Sequence, residues 1–491
     1  MAADDLRSLA EKMIAGSRAH EDPDYPRFHL APPVGRLNDP NGLVVRDGVH
    51  HAFYQFSPFH PRKLVYWGHA SSPDCTQWTD HGPALCPDAW YDRTGVYSGN
   101  ALVEDDVTYL FYTGNVRFPD GGRDTHQCLA TTTDFTTFTK APGNPLIPEP
   151  PDGYTRHVRD PNVWRDADGS LRMLVGAQRA DLTGAALLYR SEDRLAWTFE
   201  GELQFPGHEE TFSRCGYMWE CPALVRVPDE RPGVLHDVFL FCPQGHDPYD
   251  EGFENVFPAC AVVGRLDGNA FHADGPLAEI DRGFEFYAPQ VFARAAADPG
   301  PTELVAWFGN AGEDDQPSME FDWVHTFTLV RELRVRAGRL VQRPVLDLAA
   351  ARPVDLELPP TLSNRDLSLA GLAGSRAFAL RLDFDLSDAA GWGLRIGSDA
   401  SHVDVRVSGD RLVVDRSTTR YPHGDRRTVT LPAGAAASLE VFVDHSTVEL
   451  FLGDGALAFS LRSFLADHAG GVRLGGEGAL GVRSARAHRF D

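Results

Sequence analysis

The sequence predicts an all-β protein in which a five-bladed β-propeller is followed by a C-terminal β-sandwich. Three observations support this fold class. From residue 29 to about residue 349, short β-like runs are separated by Gly, Pro, Asn and Asp, and no long helical period is present. These runs repeat with a period near 60 residues. After residue 363, the chain changes to closely spaced strands that alternate apolar and polar residues.

The repeat predicts the five blades. In each copy, a polar or acidic residue near a turn leads into an apolar run, a polar turn and a second, more aromatic run. The copies begin at residues that are 59, 62, 60 and 67 positions apart: Asp39, Ser98, Asp160, Glu220 and Tyr287. This length is typical of a four-stranded propeller blade with long loops. Because blades are related by rotation about a central channel, we expect Asp39, Asp160 and Glu220 to occupy equivalent positions and to converge on one axial pocket.

A second marker keeps the same step. An acid is followed four residues later by a large aromatic residue in three places: Asp74 with Trp78, Asp134 with Phe138, and Asp193 with Trp197. This marker supports the same blade period.

The predicted domains are an N-terminal helical extension (1–25), the propeller with the catalytic site (26–348), a linker (349–362) and the sandwich (363–491). Residues 3–19 place acids among Leu6, Leu9, Met13 and Ile14, a pattern that predicts an amphipathic helix and lacks the apolar block of a signal peptide. No run of about 18 apolar residues is present that would span a membrane. We therefore expect a cytoplasmic protein, with a secreted mature form as the alternative.

Composition narrows the class of partner. Of 491 residues, 42% are hydrophobic and 24% charged, which is typical of a globular protein. The net charge of −24 argues against nucleic acid and against anionic membranes as partners. Seven cysteines show no zinc-ligand spacing, so we expect reduced thiols, no structural metal and no cofactor. The expected assembly is a monomer or a homodimer.

Three acidic motifs carry the chemistry: Asn38-Asp39-Pro40, Arg159-Asp160-Pro161 and Glu220-Cys221-Pro222. Hydrolysis of a glycosidic bond with retention needs one carboxylate as nucleophile and one carboxylic acid that protonates the leaving oxygen. A third carboxylate can bind sugar hydroxyls and stabilise positive charge in the transition state. Taken singly, an Asp before Pro is commonly a turn residue or a cap. Three acids in step with the blade period favour a shared pocket.

The motif series resembles that of glycoside hydrolase family 32, the family of invertases, levanases and sucrose-phosphate hydrolases. The resemblance runs from about residue 28 to the end of the chain. Its motifs are Asn38-Asp39-Pro40-Asn41-Gly42, Phe53-Tyr54-Gln55, Tyr66-Trp67-Gly68-His69, Tyr97-Ser98-Gly99, Arg159-Asp160-Pro161, Glu220-Cys221-Pro222, Phe286-Tyr287-Ala288-Pro289-Gln290 and Arg331-Glu332-Leu333, with Val441-Phe442-Val443-Asp444 in the sandwich.

The resemblance implies a retaining β-fructofuranosidase. In this family scheme, Asp39 attacks the anomeric carbon of the fructosyl unit, and Glu220 acts first as acid and then as base. Asp160 and Arg159 bind fructose hydroxyls, and Cys221 adjusts the surroundings of the acid. Further residues match family positions that line the fructose pocket: Asn38, Gln55, Trp67, Ser98, Tyr287 and Trp307.

One position departs from the family pattern. The usual aromatic residue two positions before Asn38 is Arg36 here. A guanidinium can donate several hydrogen bonds to hydroxyls or to a phosphate, so we hypothesise that Arg36 binds a polar or phosphorylated leaving group. The structural alternative is a surface arginine that packs on a neighbour.

The expected substrate is a small sugar, sucrose or a short fructoside, with transfer of fructose to another hydroxyl as a side reaction. Sucrose 6-phosphate is the alternative substrate. Two other readings compete: a five-bladed inverting glycosidase that acts on arabinosides, and a carbohydrate-binding relative without activity. The Asn38-to-Gly42 and Tyr287-Ala288-Pro289 motifs argue against the first, and the three intact acids argue against the second.

Overall fold

The computed structural model describes residues 3–247, 252–364, 366–421, 423–466 and 470–490. It confirms the predicted fold class, because five antiparallel sheets form a β-propeller and a further sheet forms the C-terminal domain. Within these ranges, no helix is long and apolar enough to cross a membrane. All seven cysteines are buried and free.

Each blade is one sheet whose strands follow chain order from the central channel outwards. Blade 1 contains Gly35–Arg46, Val49–Ser57, Tyr66–Ser72 and Thr79–Leu85. Blade 2 contains Gly95–Tyr97, Ala101–Glu104, Val107–Arg117, Arg123–Thr132 and Thr139–Lys140. Blade 3 contains Tyr154–Arg165, Leu171–Arg179, Gly184–Ser191 and Thr198–Glu202. Blade 4 contains Met218–Pro228, Leu235–Gln244, Cys260–Asp267, Ala270–Ala273 and Ala278–Glu279, after a short helix at Glu209–Ser213. Blade 5 contains Tyr287–Val291, Glu303–Phe308, Thr326–Phe327, Arg331–Arg336 and Arg339–Pro344.

Contacts between the last and first blades close the ring. The short strand Trp323–Val324 pairs in parallel with Gly35 and Arg36 at the start of blade 1. Apolar side chains fill the spaces between neighbouring blades; Val44, Phe53 and Leu110, for example, pack together between blades 1 and 2. Burial of these faces, at about 25 cal/mol per Å² of apolar surface, holds the blades around one channel.

The inner strands of blades 3, 4 and 5 share a β-bulge. Arg159, Glu220 and Tyr287 are each the last paired residue before a register shift. The next residue in each blade has positive φ and precedes a proline; it is Asp160 in blade 3 (φ 68°) and Cys221 in blade 4 (φ 46°). Such bulges re-aim side chains, and non-glycine residues adopt positive φ only under local constraint. The expectation that Asp160 and Glu220 are equivalent is therefore wrong by one residue, because Glu220 matches Arg159 and Asp160 matches Cys221.

The acid of the second sequence marker forms the same turn in three blades. Asp74, Asp134 and Asp193 each accept two backbone N–H bonds from residues two and three positions ahead. A carboxylate that replaces a backbone acceptor in this way is a typical turn device, so the marker reports blade geometry and not chemistry.

The C-terminal domain is a sheet folded into two packed layers. Its strands are Arg352–Val354, Thr361–Ser363, Asp366–Ser368, Ala377–Gly397, His402–Ser408, Arg411–Asp415, Arg426–Thr430, Ser438–Asp444, Thr447–Leu452, Leu457–Arg462 and Val472–Arg489. The two longest, Ala377–Gly397 and Val472–Arg489, pair along almost their whole length and have register shifts near their middle. Leu380 from the first half and Leu394 from the second half lie in one apolar cluster, which gives the sandwich its core.

The segments at the domain borders are also ordered. The N-terminal helix spans Ala3–Ala15 and buries Leu6 and Ala10 against the propeller core. Within the segment predicted as a linker, 349–362, the strand Arg352–Val354 pairs with the last strand of the sandwich.

A buried ionic cluster joins the two domains. Arg331 Nη1 in blade 5 lies 2.9 Å from Asp281 Oδ2, and its Nε donates to Glu449 Oε2 of the sandwich at 3.2 Å. His29 bridges the two sandwich acids, with 2.9 Å from Nδ1 to Asp444 Oδ2 and 3.0 Å from Nε2 to Glu449 Oε1. These side chains are inaccessible to solvent. Loss of either domain would leave buried charges of the other domain without their partners.

Candidate active site

A cavity of about 370 Å³ opens at the axial end of the propeller. Residues at or near the bulged ends of the inner strands, together with nearby loops, line it. The lining includes Asn38, Asp39, Gln55, Arg159, Asp160, Glu220, Tyr287 and Trp307. Three carboxyl groups from blades 1, 3 and 4 therefore share one cavity, as the blade period predicts.

Asp39 is held by neutral hydrogen-bond donors. Gln55 Nε2 and Ser98 Oγ donate to its Oδ2 at 2.9 and 2.6 Å, and Asn38 Nδ2 lies 3.3 Å from its Oδ1. Burial raises the pKa of Asp39; the Ser98 hydrogen bond lowers it, and the nearby charge of Glu220 raises it further, with a net rise. The carboxylate is thus fixed in orientation without a cation in direct contact among the described residues.

Asp160 is 3% exposed and is tied to the neighbouring bulge. The backbone N–H of Cys221 donates to its Oδ2 at 3.0 Å. The Cys221 thiol lies 3.7 Å from the same oxygen and 4.0 Å from Asp39 Oδ2. Burial raises the pKa of Asp160 to about 7; Arg159 lowers it and the charges of Glu220 and Asp39 raise it. Burial also raises the pKa of the Cys221 thiol, which therefore stays neutral and positions the two acids as a weak donor.

Glu220 has the strongest partners of the three acids. Arg159 donates to its Oε1 from Nε at 2.9 Å and from Nη2 at 2.6 Å, and the Tyr287 hydroxyl donates to its Oε2 at 2.6 Å. Burial alone would lower the pKa of Arg159, but the charge of Glu220 raises it, so the guanidinium stays charged. Burial and the adjacent charge of Glu220 raise the pKa of Tyr287 well above its usual value. Both partners therefore remain hydrogen-bond donors over a wide pH range.

The predicted substrate-binding residues fall into three groups. Six of the eight line the cavity: Arg36, Asn38, Gln55, Arg159, Tyr287 and Trp307. Ser98 is fully buried and is connected to the cavity through its hydrogen bonds with Asp39 and Gln55. Trp67 does not line the cavity, and here the prediction needs correction.

Trp67 lies in the apolar core between blades 1 and 2 and is fully buried. Its indole N–H donates to the Tyr97 carbonyl at 3.0 Å. A Cβ at Gly42 would lie 2.9 Å from the Trp67 ring, and Gly42 has φ 50°. The glycine of the Asn38-to-Gly42 motif is therefore needed both for the bulge of this strand and for the close approach of this ring. Trp67 packs against the strand that contains Asp39, on the side of the core between blades 1 and 2.

Arg36 already has protein partners. Its Nε lies 2.9 Å from Asp314 Oδ1, and its guanidinium carbon lies 5.0 Å from the centre of the Trp307 ring. Burial lowers the pKa of Arg36, and Asp314 partly offsets this effect. Arg36 thus forms part of the cavity wall as a paired cation stacked on an aromatic ring.

Several other lining residues are not predicted by the sequence patterns. They are Lys63, Tyr97, Arg117, Arg123, His157, Tyr217 and Gln244. Most lie at strand ends or on loops, where the blade repeat carries no signal. The one available signal was electrostatic: Arg117 and Arg123 flank a short turn in a chain with strong negative charge.

Comparison with known proteins agrees with this architecture. The model of the glycosyl hydrolases family 32 N-terminal domain matches residues 29–344, and that of the family 32 C-terminal domain matches residues 352–488. A sucrose-6-phosphate hydrolase of Klebsiella pneumoniae is 40% identical over 470 residues, 94% of this chain and 93% of the relative. A raffinose invertase of Escherichia coli is 35% identical over 90% of this chain and 89% of its own length.

Solved structures give the same result. A sucrose-6-phosphate hydrolase from Lactobacillus gasseri superimposes with a TM-score of 0.83 at 27% identity, covering 100% of this chain and 98% of that one. A β-fructofuranosidase of Bombyx mori superimposes with a TM-score of 0.81 at 30% identity, covering 99% and 98%. The chain belongs to glycoside hydrolase family 32 and is a glycosidase.

Proposed function

We propose that this glycosidase is a retaining β-fructofuranosidase that releases fructose from sucrose-type fructosides by double displacement. The observation that supports this best is the arrangement of three carboxyl groups in one cavity, each with different partners. Asp39 has neutral donors, Glu220 has a cation and a phenol, and Asp160 has a backbone N–H and a thiol. Groups in such different environments can take different roles in one reaction.

Asp39 is proposed as the nucleophile. Its two oxygens are held by Asn38, Gln55 and Ser98, which restricts the side chain to one orientation without neutralising its charge. In the first step, Asp39 attacks the anomeric carbon of the fructosyl unit and the bond to the leaving oxygen breaks. A covalent fructosyl–enzyme ester results.

Glu220 is proposed as the acid and base. In the first step, its carboxylic acid gives a proton to the leaving oxygen, and in the second it takes a proton from the water that cleaves the ester. Arg159 and Tyr287 fix both of its oxygens, so the proton is delivered to one point in the cavity. After the proton has left, the same two groups stabilise the carboxylate.

Asp160 is proposed to bind fructose hydroxyls and to stabilise the positive charge that develops on the ring. The contact of the Cys221 thiol with both Asp39 and Asp160 supports this role, because the sugar must lie next to Asp39 during attack. Burial makes its interactions with the substrate strong, because few water molecules compete in a site of low dielectric.

Sucrose 6-phosphate is the second candidate substrate. The Klebsiella relative and five other relatives that are at least 34% identical carry the name sucrose-6-phosphate hydrolase. The side of the cavity that contains Arg117 and Arg123 also favours an anionic substrate over a neutral one.

The test is the release of fructose from sucrose and from sucrose 6-phosphate by the wild type and by Asp39→Asn. Asparagine keeps the size of Asp39 and one oxygen that can accept from Gln55 and Ser98, so the fold is retained while the nucleophile is lost. We expect turnover to fall by at least about 10³-fold on both substrates. Asp106→Asn, which changes a fully exposed acid in blade 2, serves as the control and should retain wild-type turnover. An Asp39→Asn variant that kept most of its activity would refute the assignment.

A further inference from the structure

One side of the cavity carries basic groups that have no acidic partner. Lys63, Arg117 and Arg123 all line the cavity. Within the described ranges, the side chains of Lys63 and Arg117 make no hydrogen bond or ion pair, and that of Arg123 makes a single hydrogen bond, from Nη1 to His157 Nδ1 at 3.3 Å. We call these three residues the basic wall. Unpaired cations around one cavity are unexpected in a chain with a net charge of −24.

Strand pairing brings the basic wall to one edge. Val65 bridges to Gly95 in parallel, and Gly95 pairs with Asn115 in the antiparallel sheet of blade 2. Lys63 lies two residues before Val65, and Arg117 lies two residues after Asn115. Because the first pairing is parallel and the second antiparallel, both residues extend towards the same end of the sheet. Arg117 is in turn the direct cross-strand partner of Arg123. The three cations therefore come from adjacent strand ends at one level of the cavity mouth.

The Arg117–Arg123 pair is unfavourable as a structural element. Like charges directly opposite each other on paired strands are destabilising. Burial lowers the pKa of Arg123 to about 10, and the charges of Arg159 and Arg117 contribute to this shift. Arginines on neighbouring strands are paired instead, as Arg179 is with Glu202 at 2.7 Å. A pair of opposed arginines without an acid is explained if an anion occupies the space that they face.

The basic wall lies on the side of the cavity where the leaving group must be. His157 Nδ1 is 3.3 Å from Arg123 Nη1 and 3.2 Å from Arg159 Nη1, and Arg159 holds Glu220. Burial and the two arginines lower the pKa of His157 to about 4, so the ring is neutral and accepts these hydrogen bonds. Because the proposed acid Glu220 protonates the leaving oxygen, the sugar that departs lies next to this chain of contacts.

We infer that Lys63, Arg117 and Arg123 bind a phosphate group on the leaving sugar and so select phosphorylated over neutral sucrose. The inference rests on the proposed function. It assigns phosphate binding to these three residues and not to Arg36, whose Nε faces Asp314 and whose guanidinium stacks on Trp307. Two arginines and a lysine suit a phosphate dianion, because arginines donate in pairs to its oxygens and lysine adds a point charge.

The experiment compares kcat/KM for sucrose 6-phosphate and for sucrose in the wild type and in Lys63→Gln, Arg117→Gln and Arg123→Gln. The wild type should prefer the phosphorylated sugar. Each variant should lose about 10-fold or more of this preference, as expected for a charge-assisted hydrogen bond, because its kcat/KM for sucrose 6-phosphate falls much further than its kcat/KM for sucrose. Inorganic phosphate should inhibit the wild type more strongly than the variants.

Arg62→Gln is the matched control. Arg62 is exposed and adjacent to Lys63 but does not line the cavity, so its removal changes the net charge equally and should leave the preference intact. Three results would overturn the inference: a wild type without preference, a preference that survives in all three variants, or equal losses on both substrates. Release of fructose from neither sugar by the wild type would instead refute the proposed function, and the inference with it.

Discussion

Replacement of Asp160 by asparagine should make the protein more stable and less active at the same time. Burial raises the pKa of Asp160 from its ordinary value of 3.8 to about 7, so the folded state binds this proton more tightly than the unfolded state does. Wild-type stability contributed by this group therefore falls as the pH rises from about 4 to about 7. Asparagine does not titrate and keeps an oxygen for the N–H of Cys221.

The magnitude follows from the pKa. A rise of about three pH units, at 1.36 kcal/mol for each, gives a cost of about 4 kcal/mol at pH 7.5 and of about 2 kcal/mol at pH 5. The variant should exceed the wild type in free energy of unfolding by these amounts. Its kcat/KM should fall by about 10- to 150-fold, because a charge-assisted hydrogen bond to the substrate is lost.

Urea unfolding followed by tryptophan fluorescence at pH 5 and 7.5, together with fructose release, measures both effects. Asp168→Asn is the control, because the pKa of Asp168 is shifted in the opposite direction to that of Asp160. Asp168 is an exposed acid in the turn between the first two strands of the same blade, and its hydrogen bond from Arg190 lowers its pKa, so this change should give no gain in stability. A variant Asp160→Asn that is no more stable than the wild type at pH 7.5, or whose gain does not depend on pH, would refute the reasoning.

Two further predictions concern the domain junction and the acid. Burial would lower the pKa of His29, but its hydrogen bonds to Asp444 and Glu449 raise it to about 9. About 3 kcal/mol of stability should thus be present below pH 6.5 and lost as the pH rises through 9, and urea unfolding of His29→Gln should lack this loss. A wild type with the same alkaline pH dependence as His29→Gln would contradict this account. Tyr287→Phe should lower kcat/KM for sucrose by about 10-fold or more, and less for a nitrophenyl fructoside, whose leaving group needs no proton. Tyr217→Phe, which changes another tyrosine of the cavity lining, is its control, and an equal loss on both substrates would argue against a role of Tyr287 beside the acid.

Much of the fold could be predicted because a propeller blade is a local unit. Each blade is built from consecutive strands, so its signal repeats along the chain at about the same step. Asp39 could be placed for a similar reason, since it begins the first copy of the blade repeat. The alternating pattern after residue 363 likewise reflects two faces of a half-buried sheet.

The errors arose where one residue decides which way a side chain points. A bulge inserts one residue into the inner strand, and blade steps that vary from 59 to 67 positions do not resolve that insertion. Glu220 was therefore matched with Asp160 instead of Arg159. The error at Trp67 has the same cause. Alternate residues of a strand face opposite sides, and this ring faces the core between blades 1 and 2.

The basic wall and the partner of Arg36 could not be predicted from spacing. Arg117 and Arg123 meet only because a turn pairs them across a hairpin, and Lys63 joins them through a bridge between two blades. Asp314 reaches Arg36 from a loop of blade 5 that closes on blade 1. The contacts of Lys63 and of Asp314 depend on how neighbouring blades pack, which no local sequence pattern encodes, whereas the Arg117–Arg123 pair is local to one hairpin.

The most direct test of the central claim is the anomeric form of the fructose that is released first. If Asp39 forms a covalent intermediate and Glu220 directs water to it, two inversions occur and the configuration is retained. NMR spectra recorded during rapid hydrolysis should show β-fructofuranose before its equilibration in water. Initial release of the α anomer would show a single displacement and would contradict the role of Asp39 as nucleophile.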